Sequence, residues 1–208
     1  MYKLYYSPGT ASMAVHWTLI ELGVPFELEL VDFDSKAQKS PQHLARNPSG
    51  QVPTLEIEGR PYSETAALLM LLAERHPDSG FAPAPDEETR PGYFQLMIYL
   101  ANSMLPAIRG YFYPQDFAGS EDAVKANAEQ RLQAAFARID SELFDDYVLG
   151  PQITAADFLF TIICRWSRNM SRPAHTWPHL ASYLSRMRQR EGLREVHRRE
   201  GLTDWIDG

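Results

Sequence analysis

Over Glu27–Val31 the chain alternates acid and aliphatic (Glu-Leu-Glu-Leu-Val), the two-residue period of a strand with one wet face. Lys3–Tyr6 reads as an earlier short strand, stopped by Ser7-Pro8-Gly9. The period then changes. Met13, Trp17 and Ile20 fall at i, i+4 and i+7, the inner stripe of a helix that Thr10 or Ser12 can cap. Gly23 ends that helix, with Pro25 just beyond. Ser40–Ala45 predicts a short helix and Thr54–Ile57 a strand, from which Glu58-Gly59-Arg60 turns tightly into Pro61-Tyr62. Thr65–Arg75, rich in Ala and Leu, is strongly helical. The predicted order is β-α-β-α-β-β-α.

Between His76 and Pro91 the texture shifts to Pro77, Pro83, Pro85, Pro91, Gly80 and a run of acids, the composition of an ordered linker. Beyond it no strand pattern stands out. Helices are predicted at about 88–112, 121–146, 154–168 and 177–190, with a short one near 193–200. Leu132, Phe136, Ile139 and Leu143 form a core stripe in the second of these. Thr154-Ala155-Ala156-Asp157 fits a capping box in its acidic form and would start a buried helix through Phe158, Leu159, Phe160, Ile162 and Ile163. Two domains follow: α/β over 1–76 and all-helical over 91–208, joined by 77–90.

Composition narrows the function classes. The 208 residues carry a net charge of −7, which argues against nucleic acid or an anionic membrane as main partner. No basic-then-apolar start resembles a signal peptide, and no apolar run approaches the roughly 18 residues that span a bilayer. The single cysteine, Cys164, cannot form an intramolecular disulfide. A cytoplasmic protein is expected. Six histidines without ligand spacing and one cysteine give no metal cluster, and no glycine-rich nucleotide loop occurs.

The densest candidate chemistry is Asn47-Pro48-Ser49-Gly50-Gln51-Val52-Pro53-Thr54-Leu55, followed by Ser63-Glu64-Thr65. Proline has no N–H and fixes φ, so Pro53 belongs at the start of a strand. From spacing alone a trans Val52–Pro53 bond is the commoner arrangement. A cis bond would instead aim the Val52 N–H and C=O outward, towards a ligand. Gly9-Thr10-Ala11-Ser12 opens the first helix directly after a strand, where free N–H groups and the dipole favour an anion.

These pieces, with Leu4-Tyr5-Tyr6-Ser7-Pro8-Gly9 and Thr154 to Asp157, resemble the glutathione S-transferase superfamily in order and spacing over nearly the whole chain. The resemblance implies a thioredoxin-like α/β N-terminal domain and an all-α C-terminal domain. It also implies a cis Val52–Pro53 bond that binds the cysteinyl backbone of glutathione. Glu64 would take the γ-glutamyl ammonium and Thr65 its α-carboxylate, while Lys36 and Gln51 would meet the glycyl carboxylate, with Lys39 and His43 nearby. Residues at the first helix start would hold the glutathione sulfur as thiolate, the reactive form. Lowering a thiol pKa by about two units takes roughly 2.7 kcal/mol.

One position departs from the pattern. Tyr-Ser-Pro-Gly-Thr-Ala-Ser-Met looks like the bacterial beta-class motif, but Ala11 stands where that class has cysteine. Cysteine-based redox chemistry is therefore missing here. Ser12 and Thr10 are left as sulfur-stabilising candidates, with Tyr6 as runner-up. Each also has a plainer role, a cap for Ser12 and a strand aromatic for Tyr6. Cys164 reads as a small buried hydrophobe.

An apolar acceptor site, expected between the domains, would draw on Met104, Ile108, Tyr111, Phe112, Tyr113 and Trp166. Arg109 beside them reads better as half of a surface ion pair. The arginines and glutamates of residues 186–200, Glu191, Glu195 and Glu200 among them, read as a solvated helical face. The resemblance implies a glutathione transferase using glutathione as co-substrate, acting on a small apolar electrophile, and forming a two-fold homodimer. Glutathione-dependent disulfide or peroxide reduction, and a non-catalytic binding or scaffold role, are the alternatives.

Overall fold

The computed structural model describes residues 1–206, which pack as two compact units. One is Met1–Ser79 together with the segment from Arg188 onward; the other is Gly80–Met187.

In the first unit four strands form one mixed sheet: β1 (Tyr2–Tyr6), β2 (Phe26–Leu30), β3 (Thr54–Ile57) and β4 (Arg60–Ser63), in the order β2-β1-β3-β4. β1 runs parallel to β2 and antiparallel to β3, and β3 and β4 form a hairpin. The two hairpin-loop residues, Glu58 and Gly59, have φ of 54° and 80°, the left-handed pair that matches strand twist. Helices α1 (Ser12–Glu21), α2 (Pro41–Arg46) and α3 (Thr65–Arg75) complete the expected thioredoxin-like β-α-β-α-β-β-α order.

Helix α1 is buried all round from Ser12 to Leu19, and Ile20 is only half-buried. The three-residue stripe read from the sequence thus understates its core. The reason is that α1 packs against β1, α3 and a C-terminal helix, α9 (Glu191–Glu200), so it has almost no wet side. Neither expected cap holds. The N-cap is Ala11, and the Ser12 hydroxyl turns back to the Ser7 carbonyl.

The second unit is helical: α4 (Arg90–Tyr99), α5 (Leu105–Phe112), α6 (Glu121–Glu142), α7 (Ala155–Trp166) and α8 (Pro178–Arg188), the last residue of α8 belonging to the first unit. The single helix expected over 88–112 is broken by a wide π-type turn at Leu100–Met104. Pro106 explains it, since a proline there has no N–H for the Asn102 carbonyl. α6 ends at Glu142, short of the expected 146. Its stripe Leu132, Phe136, Ile139 and Leu143 is buried as read.

The capping box is present. The Thr154 N–H and hydroxyl both donate to Asp157 Oδ2, at 2.8 and 3.0 Å, and the Val148 N–H donates to Oδ1 at 3.0 Å. Asp157 is fully buried, and burial pushes its carboxyl up to about 6 against the pull of those donors.

The C-terminal helix departs from the sequence reading in two ways. It packs with the α/β unit, not with the helical one. And Glu200, expected on a solvated face, is buried on the side of α9 that carries Leu193 and Val196. Glu195 with Arg198 and Arg199 does form an exposed cluster, as expected.

Candidate functional site

Sheet register brings the sequence motifs of the first unit together. Tyr5 lies opposite Thr54, Thr54 opposite Ser63, and Tyr6 beside Leu30. The segments that leave these positions are the Ser7–Ala11 turn after β1, the loop from Val31 after β2, Val52–Pro53 before β3 and Glu64–Thr65 after β4. All four therefore emerge at one end of the sheet. Two strand spacings separate β1 from β4, about 10 Å, which is the reach of an extended tripeptide.

The Val52–Pro53 bond is cis. Pairing starts at Thr54, so Val52 lies outside the ladder, and among the described residues its N–H and C=O have no backbone partner. The loop before it is fixed from below. The Gln51 carbonyl accepts from His43 Nε2 at 2.9 Å and from Asn47 Nδ2 at 3.0 Å. Asn47 Nδ2 also reaches the Thr54 hydroxyl, and Asn47 Oδ1 accepts from the Ser49 N–H and hydroxyl. His43 is thereby spent on structure, while the Gln51 side chain and Lys36 stay exposed. Gly50 has φ +61°, and a Cβ there would sit 2.9 Å from the Gln38 carbonyl, so only glycine fits.

At the start of α3 the N-cap is Glu64. Glu64 has φ 73° and ψ 106°, a backbone conformation that costs a non-glycine residue about 1–3 kcal/mol. Its carboxylate makes no capping bond and is exposed. The carboxylate thus does no capping, and strain is stored at a residue whose charge is left open. Thr65 beside it is buried, with its hydroxyl unpartnered among the described residues.

The turn into α1 is a compact hydroxyl cluster. Ser12 is fully buried; its Oγ donates to the Ser7 carbonyl at 3.1 Å and accepts from the Ser7 N–H at 3.3 Å. Thr10 Oγ1 reaches the same carbonyl at 2.7 Å and Ser12 Oγ at 2.8 Å. Two hydroxyl protons thus serve three oxygen contacts. Thr10, half-exposed, can give its proton elsewhere while Ser12 still satisfies the Ser7 carbonyl. The Ala11 N–H has no acceptor among the described residues.

Beneath this turn lies a pair the sequence reading missed. His16 Nδ1 and Glu200 Oε1 are 2.8 Å apart, both side chains wholly buried, and Glu200 Oε2 accepts the Gly9 N–H at 3.0 Å. The available signal was Glu200 itself, at i+7 from Leu193 and i+4 from Val196 on the apolar side of its helix. The Tyr6 ring lies 5.9 Å from His16, and burial, then the Glu200 charge, push its hydroxyl pKa up, so it stays a proton donor.

In the helical unit Met104, Ile108 and Tyr111 are buried, and the Tyr111 hydroxyl donates to the Asn169 carbonyl at 3.2 Å. Trp166 is half-buried; Phe112 and Tyr113 are exposed. The expected acceptor set is thus divided between core and surface. Arg109 pairs with Asp116 at the surface, as expected, and lies over the Tyr113 ring. Cys164 is buried. Among the described residues no three His, Cys, Asp or Glu are placed to hold a metal ion, and no helix is long and apolar enough to cross a membrane.

Known proteins share this architecture. Residues 1–74 match the family Glutathione S-transferase, N-terminal domain, and residues 99–191 match Glutathione S-transferase, C-terminal domain. Glutathione S-transferase GstA of Escherichia coli O157:H7 is 30% identical over 203 residues, spanning 96% of this chain and 99% of that protein. A glutathione transferase homologue from Sulfitobacter, solved with bound glutathione, superposes with a TM-score of 0.89 at 28% identity, covering 98% of this chain and 99% of that one. The bacterial beta-class enzyme of Sphingomonas chungbukensis gives 0.85 at 29% identity, over 97% and 100%. With both domain families matched and a relative aligned end to end, this chain belongs to the glutathione S-transferase family.

Proposed function

We propose that the chain is a glutathione transferase whose thioredoxin-like segment, residues 1–76, binds glutathione in an extended form across the sheet end and conjugates it, through its thiolate sulfur, to a small apolar electrophile. The observation that carries the reading is Glu64: a charged residue held in a costly left-handed conformation at the start of a helix, its carboxylate without a partner among the described residues. There its carboxylate takes the γ-glutamyl ammonium, and the Thr65 hydroxyl with the free N–H groups of α3 takes the adjoining α-carboxylate. The Val52 backbone pairs with the cysteinyl unit as an added strand does. Lys36 and Gln51 meet the glycyl carboxylate.

The sulfur then falls at the α1 turn. Thr10 donates its hydroxyl proton to the thiolate, backed by the Ala11 N–H and the helix dipole; Ser12 holds the Ser7 carbonyl in Thr10's place. Tyr6 is the second donor candidate. The thiol proton leaves to solvent, the thiolate forms a bond to the electrophilic carbon, and the leaving group departs with its electron pair. Most of the gain is positioning and thiolate stabilisation. Tyr113 and Trp166, which keep open surface, are the acceptor-facing aromatics.

A cytoplasmic role in detoxification goes with this reading, and the GstA and beta-class relatives are bacterial. A homodimer completes the reading. Phe94 and Ile98, one turn apart on α4 and both exposed, offer an apolar contact at the start of the helical unit. The test is conjugation of glutathione to a chlorodinitrobenzene. Turnover that saturates in glutathione and falls at least tenfold in Glu64→Ala supports the reading; wild-type turnover in that variant overturns it.

A further inference from the structure

Residues 143–151, which link α6 to α7, form an open cleft of about 360 Å³ with α8. None of its lining residues is assigned above to glutathione or to the acceptor. Phe144 lines it with 82% of its surface exposed, its ring 6.1 Å from that of His179. Leu143 and Pro151 add apolar surface. Arg186 holds the loop in place: it donates to the Asp146 carbonyl at 2.6 Å and pairs with the Asp146 carboxylate at 2.8 Å.

The polar groups left open in this cleft are acceptors. His179 Nδ1 lies 2.7 Å from the Asp140 carbonyl. A carbonyl only accepts, so Nδ1 carries the proton and Nε2 of the neutral ring keeps its lone pair. The Ser182 hydroxyl donates to the Pro178 carbonyl, and the buried Tyr183 hydroxyl to the Asp157 carbonyl. Arg186 is engaged with Asp146. Asp145 is exposed, and among the described residues its carboxylate has no ion pair or hydrogen bond. With Asp140 beneath His179, three aspartates stand against one arginine.

We propose that this cleft is a binding site for a small arylalkyl amine in its ammonium form. The ammonium donates to the Asp145 carboxylate and to His179 Nε2, and the Phe144 ring attracts it through its π face. The aryl group rests on Phe144 and Pro151. An ammonium brings only donors, which is what a lining of free acceptors requires. The volume is within the usual range for small-molecule sites. The proposal is independent of the glutathione reading.

The test is calorimetry with 2-phenylethylamine, and with neutral 2-phenylethanol for comparison, with and without S-hexylglutathione. The pH is about 8, where an ordinary imidazole is neutral. One amine site per chain is expected, unaffected by S-hexylglutathione, with the alcohol bound more weakly. Asp145→Asn should weaken the amine about fivefold and leave the alcohol unchanged. Phe144→Ala should weaken both about threefold. No amine binding, equal affinity for amine and alcohol, an unchanged amine affinity in Asp145→Asn, or binding lost whenever S-hexylglutathione is present overturns the proposal. Both substitutions are at exposed positions, so the variants fold and their results decide the matter.

Discussion

His16 Nδ1 and Glu200 Oε1 lie 2.8 Å apart with no solvent exposure on either side chain, tying the first helix to the last. The other Glu200 oxygen holds the Gly9 N–H, so the pair also fixes the turn that opens α1. Removing one partner strands the other in the core. Glu200→Gln keeps the shape and removes the charge, and should destabilise the protein by about 3 kcal/mol in chemical denaturation. An unchanged midpoint would show that the pair is idle.

The hydroxyl cluster gives a kinetic prediction. If Thr10 donates to the thiolate, Thr10→Val should move the half-maximal point of the conjugation pH profile up by about one unit, the equivalent of 1.4 kcal/mol. An unmoved profile would shift the role to Tyr6 or to backbone N–H groups.

Gly50 is a backbone prediction. Gly50→Ala forces a Cβ onto the Gln38 carbonyl at a positive φ and should cost about 1–2 kcal/mol in stability. It should also weaken glutathione binding, because the same loop carries Gln51 and Val52. Calorimetry on a variant that still melts cooperatively separates the two effects.

Asp157 sets a pH dependence of definite sign. Its folded pKa is raised from 3.8 to about 6, so between those values the folded chain holds a proton that the unfolded chain has lost. Stability from this group is fully present below pH 3.8 and declines as pH rises through 6, by at most about 3 kcal/mol. Asp157→Asn lacks this titration, so the gap between wild type and variant should narrow from pH 4 to pH 7. A widening gap contradicts the assignment. Asp157→Ala, which abandons three donors, should cost about 3 kcal/mol, more than the roughly 1 kcal/mol of an ordinary cap.

Strand and helix positions were legible in the sequence where local chemistry decides them. The Glu58-Gly59 turn, the short helix α2, the α3 limits and the capping box at Thr154 all follow from residues close in the chain. The site motifs were legible as motifs. Harder to read was anything set by distant packing. Ser12 looks like a cap until Ser7 is seen to use its hydroxyl. The cis state of Val52–Pro53 came from resemblance, not from spacing. Glu200 looks solvated until α9 is seen to close over α1. Periodicity marked the side of α9 it lies on, but the neighbouring Arg and Glu residues drowned that signal. Met104 and Ile108, expected in an acceptor lining, are buried side chains, a placement that tertiary packing and not local pattern decides.

The central claim is that this site binds glutathione and holds it as thiolate. Calorimetric titration of glutathione into wild type and Glu64→Ala, with ultraviolet detection of the bound thiolate near neutral pH, tests it most directly. Saturable binding with a thiolate signal, both lost in Glu64→Ala, is the expected result. No binding to the wild type at millimolar glutathione, or binding that Glu64→Ala leaves intact, would contradict it.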